Sequence, residues 1–264
     1  VAAFVAAKAA VLERIAMACA RVGRDPASVT LVAVSKTVDA ERLRAAVAAG
    51  LTTLGENRVQ EAAAKARLVA GATWHLVGHL QSNKVRLALD LFETIESVDS
   101  VELATRLDRL VAEGLGGAVP SSPGPVAASA RGADMASPSA IARHAVFVQV
   151  NVDEDPAKAG FQPAALPDSL PAILALPNLE VRGLMTVGRL AASAEAARPT
   201  FVGLRELSAK LREAMPGLGT ELSMGMSDDF EVAVEEGSTV VRVGRALFGE
   251  RSHTHAQGEP DHRH

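Results

Sequence analysis

Lys36 ends the run Leu31-Val32-Ala33-Val34-Ser35-Lys36, and Arg242 breaks the run Val240-Val241-Arg242-Val243. Both runs are rich in β-branched residues and read as buried strands. A buried cation needs an acceptor, a counter-charge or a chemical task. A lysine desolvated where a parallel strand meets its loop can lose a proton and attack a carbonyl. Lys36 is therefore expected to hold an aldehyde cofactor as a Schiff base. Arg242 shares side-chain parity with Gly244. It reads either as a second cation inside the same site, selecting an anionic ligand rich in acceptors, or as an outward arginine paired with a helix carboxylate.

The stretch Ser223-Met224-Gly225-Met226-Ser227 has the composition of an anion cradle. Glycine allows close backbone approach, hydroxyls donate, and consecutive N–H groups can form a nest. Gly244-Arg245-Ala246 opens a second turn, where a helix N-terminus would add donors. One such loop is weak as a signal, but two after neighbouring strands match where α/β barrels commonly bind phosphate. Asp228 and Asp229 would suit the start of a helix and would repel a dianion unless turned away. Glu56, Asn57, His75, His79, Gln81, Asn83, Asn151, Met185 and Thr186 stand at or just beyond other strand ends. The spacing of His75 and His79 is not that of a metal-binding helix face, and no metal site is expected. Met185, Met224 and Met226 read as lining or core.

These positions require strands alternating with helices. An N-terminal amphipathic helix, read as folded and not as a leader, comes before the Asp25-Pro26 turn. Strands are expected at 31–36, 51–54, 73–77, 92–98, 145–151, 179–185, 221–223 and 239–243. Helices follow them, one capped by Asp39 and stopped by Gly50, another capped by Ser100 and running to about Glu113. Eight strand–helix units are the number that closes a (β/α)8 TIM-type barrel. A doubly wound open sheet is the runner-up and lacks a glycine-rich nucleotide fingerprint. The expected organisation is one barrel over residues 1–250 and a polar, disordered tail over 251–264. Within the barrel, 114–140 is expected to be a flexible surface loop, since about half its residues are Gly, Pro or Ser.

A net charge of -4 argues against nonspecific nucleic-acid binding. The single cysteine, Cys19, cannot form an internal disulfide and fits a cytoplasmic setting. No apolar run approaches the roughly 18 residues of a membrane span.

Several motifs together resemble the pyridoxal phosphate homeostasis proteins, single-domain relatives of the alanine racemase N-terminal barrel. They are Ala33-Val34-Ser35-Lys36-Thr37, Gly55-Glu56-Asn57-Arg58-Val59-Gln60-Glu61, Trp74-His75-Leu76-Val77-Gly78 and Leu80-Gln81-Ser82-Asn83-Lys84. Gln149-Val150-Asn151, Gly183-Leu184-Met185, the stretch from Leu222 to Asp229 and that from Val241 to Gly249 complete the set. The resemblance spans about residues 1 to 250 apart from the 114–140 loop. It implies a barrel that binds pyridoxal 5'-phosphate (PLP) through a Schiff base to Lys36, with Arg242 facing the pyridine nitrogen. It also implies phosphate contacts at Ser223, Gly225, Met226 and Ser227, backbone contacts at Gly244 and Arg245, and a pocket lined by Asn57. His75 and Met185 are expected to line the same pocket. Arg245 stands where the family often has a hydroxyl residue, which leaves backbone donation intact.

A cation beside the pyridine nitrogen disfavours its protonation and weakens the ring as an electron sink. Racemisation in the related enzymes uses a lysine and a tyrosine from a second domain, and this sequence contains no tyrosine. The expectation is a non-catalytic, monomeric PLP carrier in vitamin B6 homeostasis, with PLP-dependent apoenzymes as candidate recipients. A PLP-dependent racemase or lyase, and a phosphate-metabolite enzyme with an aldolase-type Lys36, are the alternatives.

Overall fold

The computed structural model describes residues 1–115, 143–188 and 192–249. From residue 116 the expected 114–140 loop lies outside the described residues, as does the tail. The parallel strands are β1 (Thr30–Val34), β2 (Thr53–Glu56), β3 (Thr73–Leu76), β4 (Thr94–Val98), β5 (His144–Gln149), β6 (Leu179–Met185), β7 (Glu221–Met226) and β8 (Val240–Val243). They pair in sequence order, and β8 closes on β1 with Val32 opposite Arg242, which makes a closed barrel. The open-sheet alternative is thereby removed.

Around the barrel run α1 (Ala2–Arg21), α2 (Ala40–Ala48), α3 (Val59–Ala66), α4 (Val85–Leu91), α5 (Val101–Ala112), α6 (Leu166–Leu174), α7 (Ala194–Ala214), α8 (Phe230–Glu235) and the single turn α9 (Arg245–Phe248). Asp39 and Ser100 cap α2 and α5 as expected, accepting from the N–H groups of Arg42 and Leu103. Several strand ends differ from expectation: β1 stops at Val34, two residues before Lys36, β4 starts at Thr94, and β5 stops at Gln149. β2 lies two residues later than the apolar run suggests, and β7 runs through the supposed loop to Met226. Gly225 makes that extension possible: its φ is +93°, and a Cβ there would sit 2.5 Å from Ala233 and 2.9 Å from the Phe230 Cα. The strand thus lies directly against α8.

Two apolar clusters form. The larger fills the space between barrel and helices. The smaller packs Val32, Val77, Phe147, Met185 and Val240 inside the barrel, with Val34 and Val187 against them. Helix α1 braces the β7 and β8 ends from outside. Arg14 makes a bidentate pair with Glu231 at 2.7 and 2.8 Å and lies 4.4 Å over the Phe230 ring. Phe4 meets Phe248 edge-on at 5.7 Å.

Candidate functional site

Chain alternation decides which side chains can meet at the barrel mouth. In β1, Val32 and Val34 face the lumen, and the buried Ser35 hydroxyl turns outward to Glu56. Lys36, next in alternation, is carried towards the mouth and is half-buried. Its turn is held firmly. The Ser35 N–H donates to the Gly55 carbonyl at 2.8 Å, and the Val38 N–H returns to the Ser35 carbonyl at 3.0 Å. Lys65 from α3 donates to the same Ser35 carbonyl at 3.0 Å and to Glu56 Oε1 at 2.8 Å. Thr37 then adopts φ +68°, a left-handed conformation that costs about 1–3 kcal/mol for a non-glycine residue and is found where structure over-determines it. Burial pushes the Glu56 carboxyl up, against the opposing effects of Lys65 and Ser35. Its second oxygen, Oε2, is buried without a hydrogen bond.

Arg242 points inward, not towards a helix carboxylate. Nη1 donates to Ser223 Oγ at 2.5 Å and Nη2 to the Thr186 carbonyl at 2.7 Å. Ser223 passes its own hydrogen to Glu96 Oε2 at 2.6 Å, and His75 Nδ1 meets Glu96 Oε1 at 2.7 Å. Burial alone would raise the Glu96 carboxyl, but the His75 hydrogen bond and the charges of His75 and Arg242 outweigh it and hold it below the usual range. Burial in turn lowers the Arg242 pKa, with Glu96 and Asp229 opposing. An ionised carboxylate only accepts, so His75 Nδ1 carries a hydrogen.

The loops after β7 and β8 are tied together, because the Gly244 N–H donates to Ser227 Oγ at 3.2 Å. Ser227 keeps its own hydrogen to donate, and the N–H groups of Arg245 and Ala246 open α9 with no acceptor inside the helix. Arg245 pairs with Asp228 at the surface. The Met226 N–H donates to Asp229 Oδ1 at 2.6 Å, so the buried Asp229 is turned back into the loop. Burial pushes the Asp229 carboxyl up. Asn57 lies half-buried on the β2–α3 loop, where Gly78 presses on it: a Cβ at Gly78 would sit 2.3 Å from the Asn57 carbonyl oxygen.

Of the residues expected at one site, Lys36, Asn57, Ser227, Arg242, Gly244 and Arg245 lie at the C-terminal end of the barrel. Met185 belongs to the lumen cluster. Ser223 is fully buried and its hydroxyl is committed to Glu96 and Arg242, the Met226 N–H is taken by Asp229, and Gly225 serves the contact with α8. Asn151 folds its own loop, exchanging bonds with Asp155 at 2.8 and 3.1 Å. His75 and His79 diverge, the latter exposed on Asp99. Sequence reasoning misses Glu96, although its signal resembles that of Arg242: a charge inside the buried run Thr94-Ile95-Glu96-Ser97-Val98. Two surface clefts lie elsewhere, one beside Trp74 and one at the starts of β6 and β7.

Residues 8–252 match the family described as alanine racemase, N-terminal domain. The pyridoxal phosphate homeostasis protein of Pseudomonas aeruginosa is 40% identical over 247 residues, covering 93% of this chain and 94% of the relative. That of Escherichia coli is 34% identical over 257 residues, covering 93% and 96%. The structure of PipY from Synechococcus elongatus with PLP bound superposes with a TM-score of 0.71 at 39% identity, over 90% of this chain and 100% of PipY.

Proposed function

The chain belongs to the pyridoxal phosphate homeostasis protein family, and from that premise we propose that it holds PLP reversibly, for buffering or delivery, without dedicated turnover. The residues at the barrel mouth fit such a group by their chemistry: one lysine, one inward guanidinium, one free hydroxyl hydrogen and two helix-opening N–H groups. When bound, PLP supplies an aldehyde that condenses with a neutral lysine amine to give a Schiff base.

Lys36 provides that amine, on a turn fixed by Glu56 and Lys65 through Ser35. Arg242 would face the pyridine nitrogen and disfavour a proton there. Ser227 and the backbone N–H groups of Arg245 and Ala246 would hold the phosphate, Asn57 lines the pocket, and Ser223 supports Arg242. The observation that carries this reading is the placement of Arg242. It stands inside the barrel, on the strand next to β1, which leads into Lys36, with two of its five N–H groups fixed by protein acceptors. A ring nitrogen beside it is a poor electron sink, and the 264 residues contain no tyrosine to act as a second acid. Both favour a carrier over a racemase or lyase. The protein acts as a cytoplasmic monomer, and PLP-dependent apoenzymes receive the cofactor.

Adding PLP to the purified protein should produce a visible imine absorption band, and amino acids should undergo no sustained racemisation or elimination in its presence. Absence of any band would overturn the binding reading. Sustained turnover that depends on Lys36 would overturn the carrier reading alone.

A further inference from the structure

Four buried side chains from four strands join across the lumen: His75 on β3, Glu96 on β4, Ser223 on β7 and Arg242 on β8. In the eight-strand order, β4 stands opposite β8 and β3 opposite β7, so the chain of bonds crosses the barrel. Both Glu96 oxygens are occupied, one by His75 and one by Ser223. Glu96 is also fully buried, so it acts through its neighbours. Its carboxylate lies 3.8 Å from Arg242 Nη1, with the Ser223 hydroxyl bonded to both. Apolar residues share the lumen with this network, Val32 in register with Arg242 and Met185 with Ser223, and a well-packed apolar replacement of a buried ion pair is often neutral or stabilising. Stability alone does not account for the pair.

Resting on the reading that Arg242 faces the ring of bound PLP, we infer that Glu96 is a positioning residue for the cofactor. Through Ser223 it aims the guanidinium, and with its charge it limits the positive field that the ring meets. The Thr186 carbonyl fixes the other Nη, so the remaining N–H groups of Arg242 have a defined direction. The other charged or titratable groups around Arg242 are His75 beyond Glu96, Asp229 before α8, and Lys36 in the turn two residues beyond adjacent β1. None of these three is substituted in the variants below.

The test compares wild type, Glu96→Gln and Ser223→Ala by PLP titration of the apo protein and by the pH midpoint of the visible absorption after loading. Glutamine keeps an oxygen to accept from Ser223 and removes the charge, while its NH2 turns to His75, whose Nδ1 then accepts in the other tautomer. A stronger positive field makes any proton on the cofactor leave at lower pH, so Glu96→Gln should move the midpoint down by about one unit. Ser223→Ala keeps both charges but loses the aim, and should weaken PLP binding about tenfold, as expected for one hydrogen bond to a charged group. A wild-type midpoint in folded Glu96→Gln, or wild-type affinity in Ser223→Ala, overturns the inference. If Glu96→Gln does not fold, the affinity of Ser223→Ala decides. Wild-type protein that takes up no PLP overturns the functional reading itself, whereas wild-type binding with unaltered variants overturns this inference alone.

Discussion

Replacing Arg242 with methionine removes one partner of a fully buried ion pair and should destabilise the apo protein strongly. The Thr186 carbonyl loses its donor, Ser223 loses one bond, and Glu96 keeps a charge with only His75 and Ser223 to compensate it. At 3.8 Å and an effective dielectric constant of about 20, the direct attraction is about 4 kcal/mol. Breaking a buried pair from one side typically costs about 3–5 kcal/mol, and Arg242→Met should fall in that range. Glu96→Gln should also destabilise, by leaving the guanidinium without its counter-charge. The double variant removes both charges, so its loss should fall short of the sum of the single losses by about 1–3 kcal/mol. Urea unfolding of the four apo proteins at neutral pH measures this coupling, provided the slopes agree. Additivity within about 0.5 kcal/mol would refute the coupled pair.

Acid should expose the same carboxylate. The folded pKa of Glu96 lies below its ordinary value of 4.5. Between those two values the unfolded chain binds more protons, so the Glu96 contribution is complete above 4.5 and is lost as pH falls through the folded value. Glu56, Glu93, Glu221 and Asp229 are shifted up and have the opposite sign: they favour the folded state at low pH and lose that contribution as pH rises from their unfolded values through their folded ones. The difference between wild type and Glu96→Gln isolates the first effect and should shrink as pH falls below 4.5, as followed by circular dichroism. Gly78→Ala should cost about 1–3 kcal/mol, because its Cβ would meet Asn57 backbone atoms at 2.3, 2.8 and 2.9 Å. The forced shift of Asn57 should also weaken PLP binding, and wild-type Tm with wild-type PLP affinity would show that the loop yields freely.

Much of the barrel was legible because its strands are short apolar runs separated by capped helices. Lys36 and Arg242 were legible for a related reason: a charge inside an apolar strand is a local signal. Glu96 carries the same mark, but its meaning depends on Ser223, 127 residues away across the lumen. Period-two alternation could have turned Ser223 inward, yet the Gly/Ser composition of its stretch suggested a loop. What composition cannot show is that Gly225 lets β7 continue against α8. The loss of the Met226 N–H follows from Asp229, three residues on, reaching back much as the third residue of a capping box does. β2 was displaced because Leu51 is buried outside the sheet ladder, while Gly55 and Glu56 belong to it.

The central claim is that Lys36 anchors the cofactor. Incubation with PLP, borohydride reduction and peptide mass spectrometry test it most directly. The account predicts a reduced pyridoxyl group on the peptide carrying Lys36 at near one per chain, and its loss in folded Lys36→Ala. Equal labelling in Lys36→Ala, or a label placed mainly on Lys65 or Lys158, would contradict it.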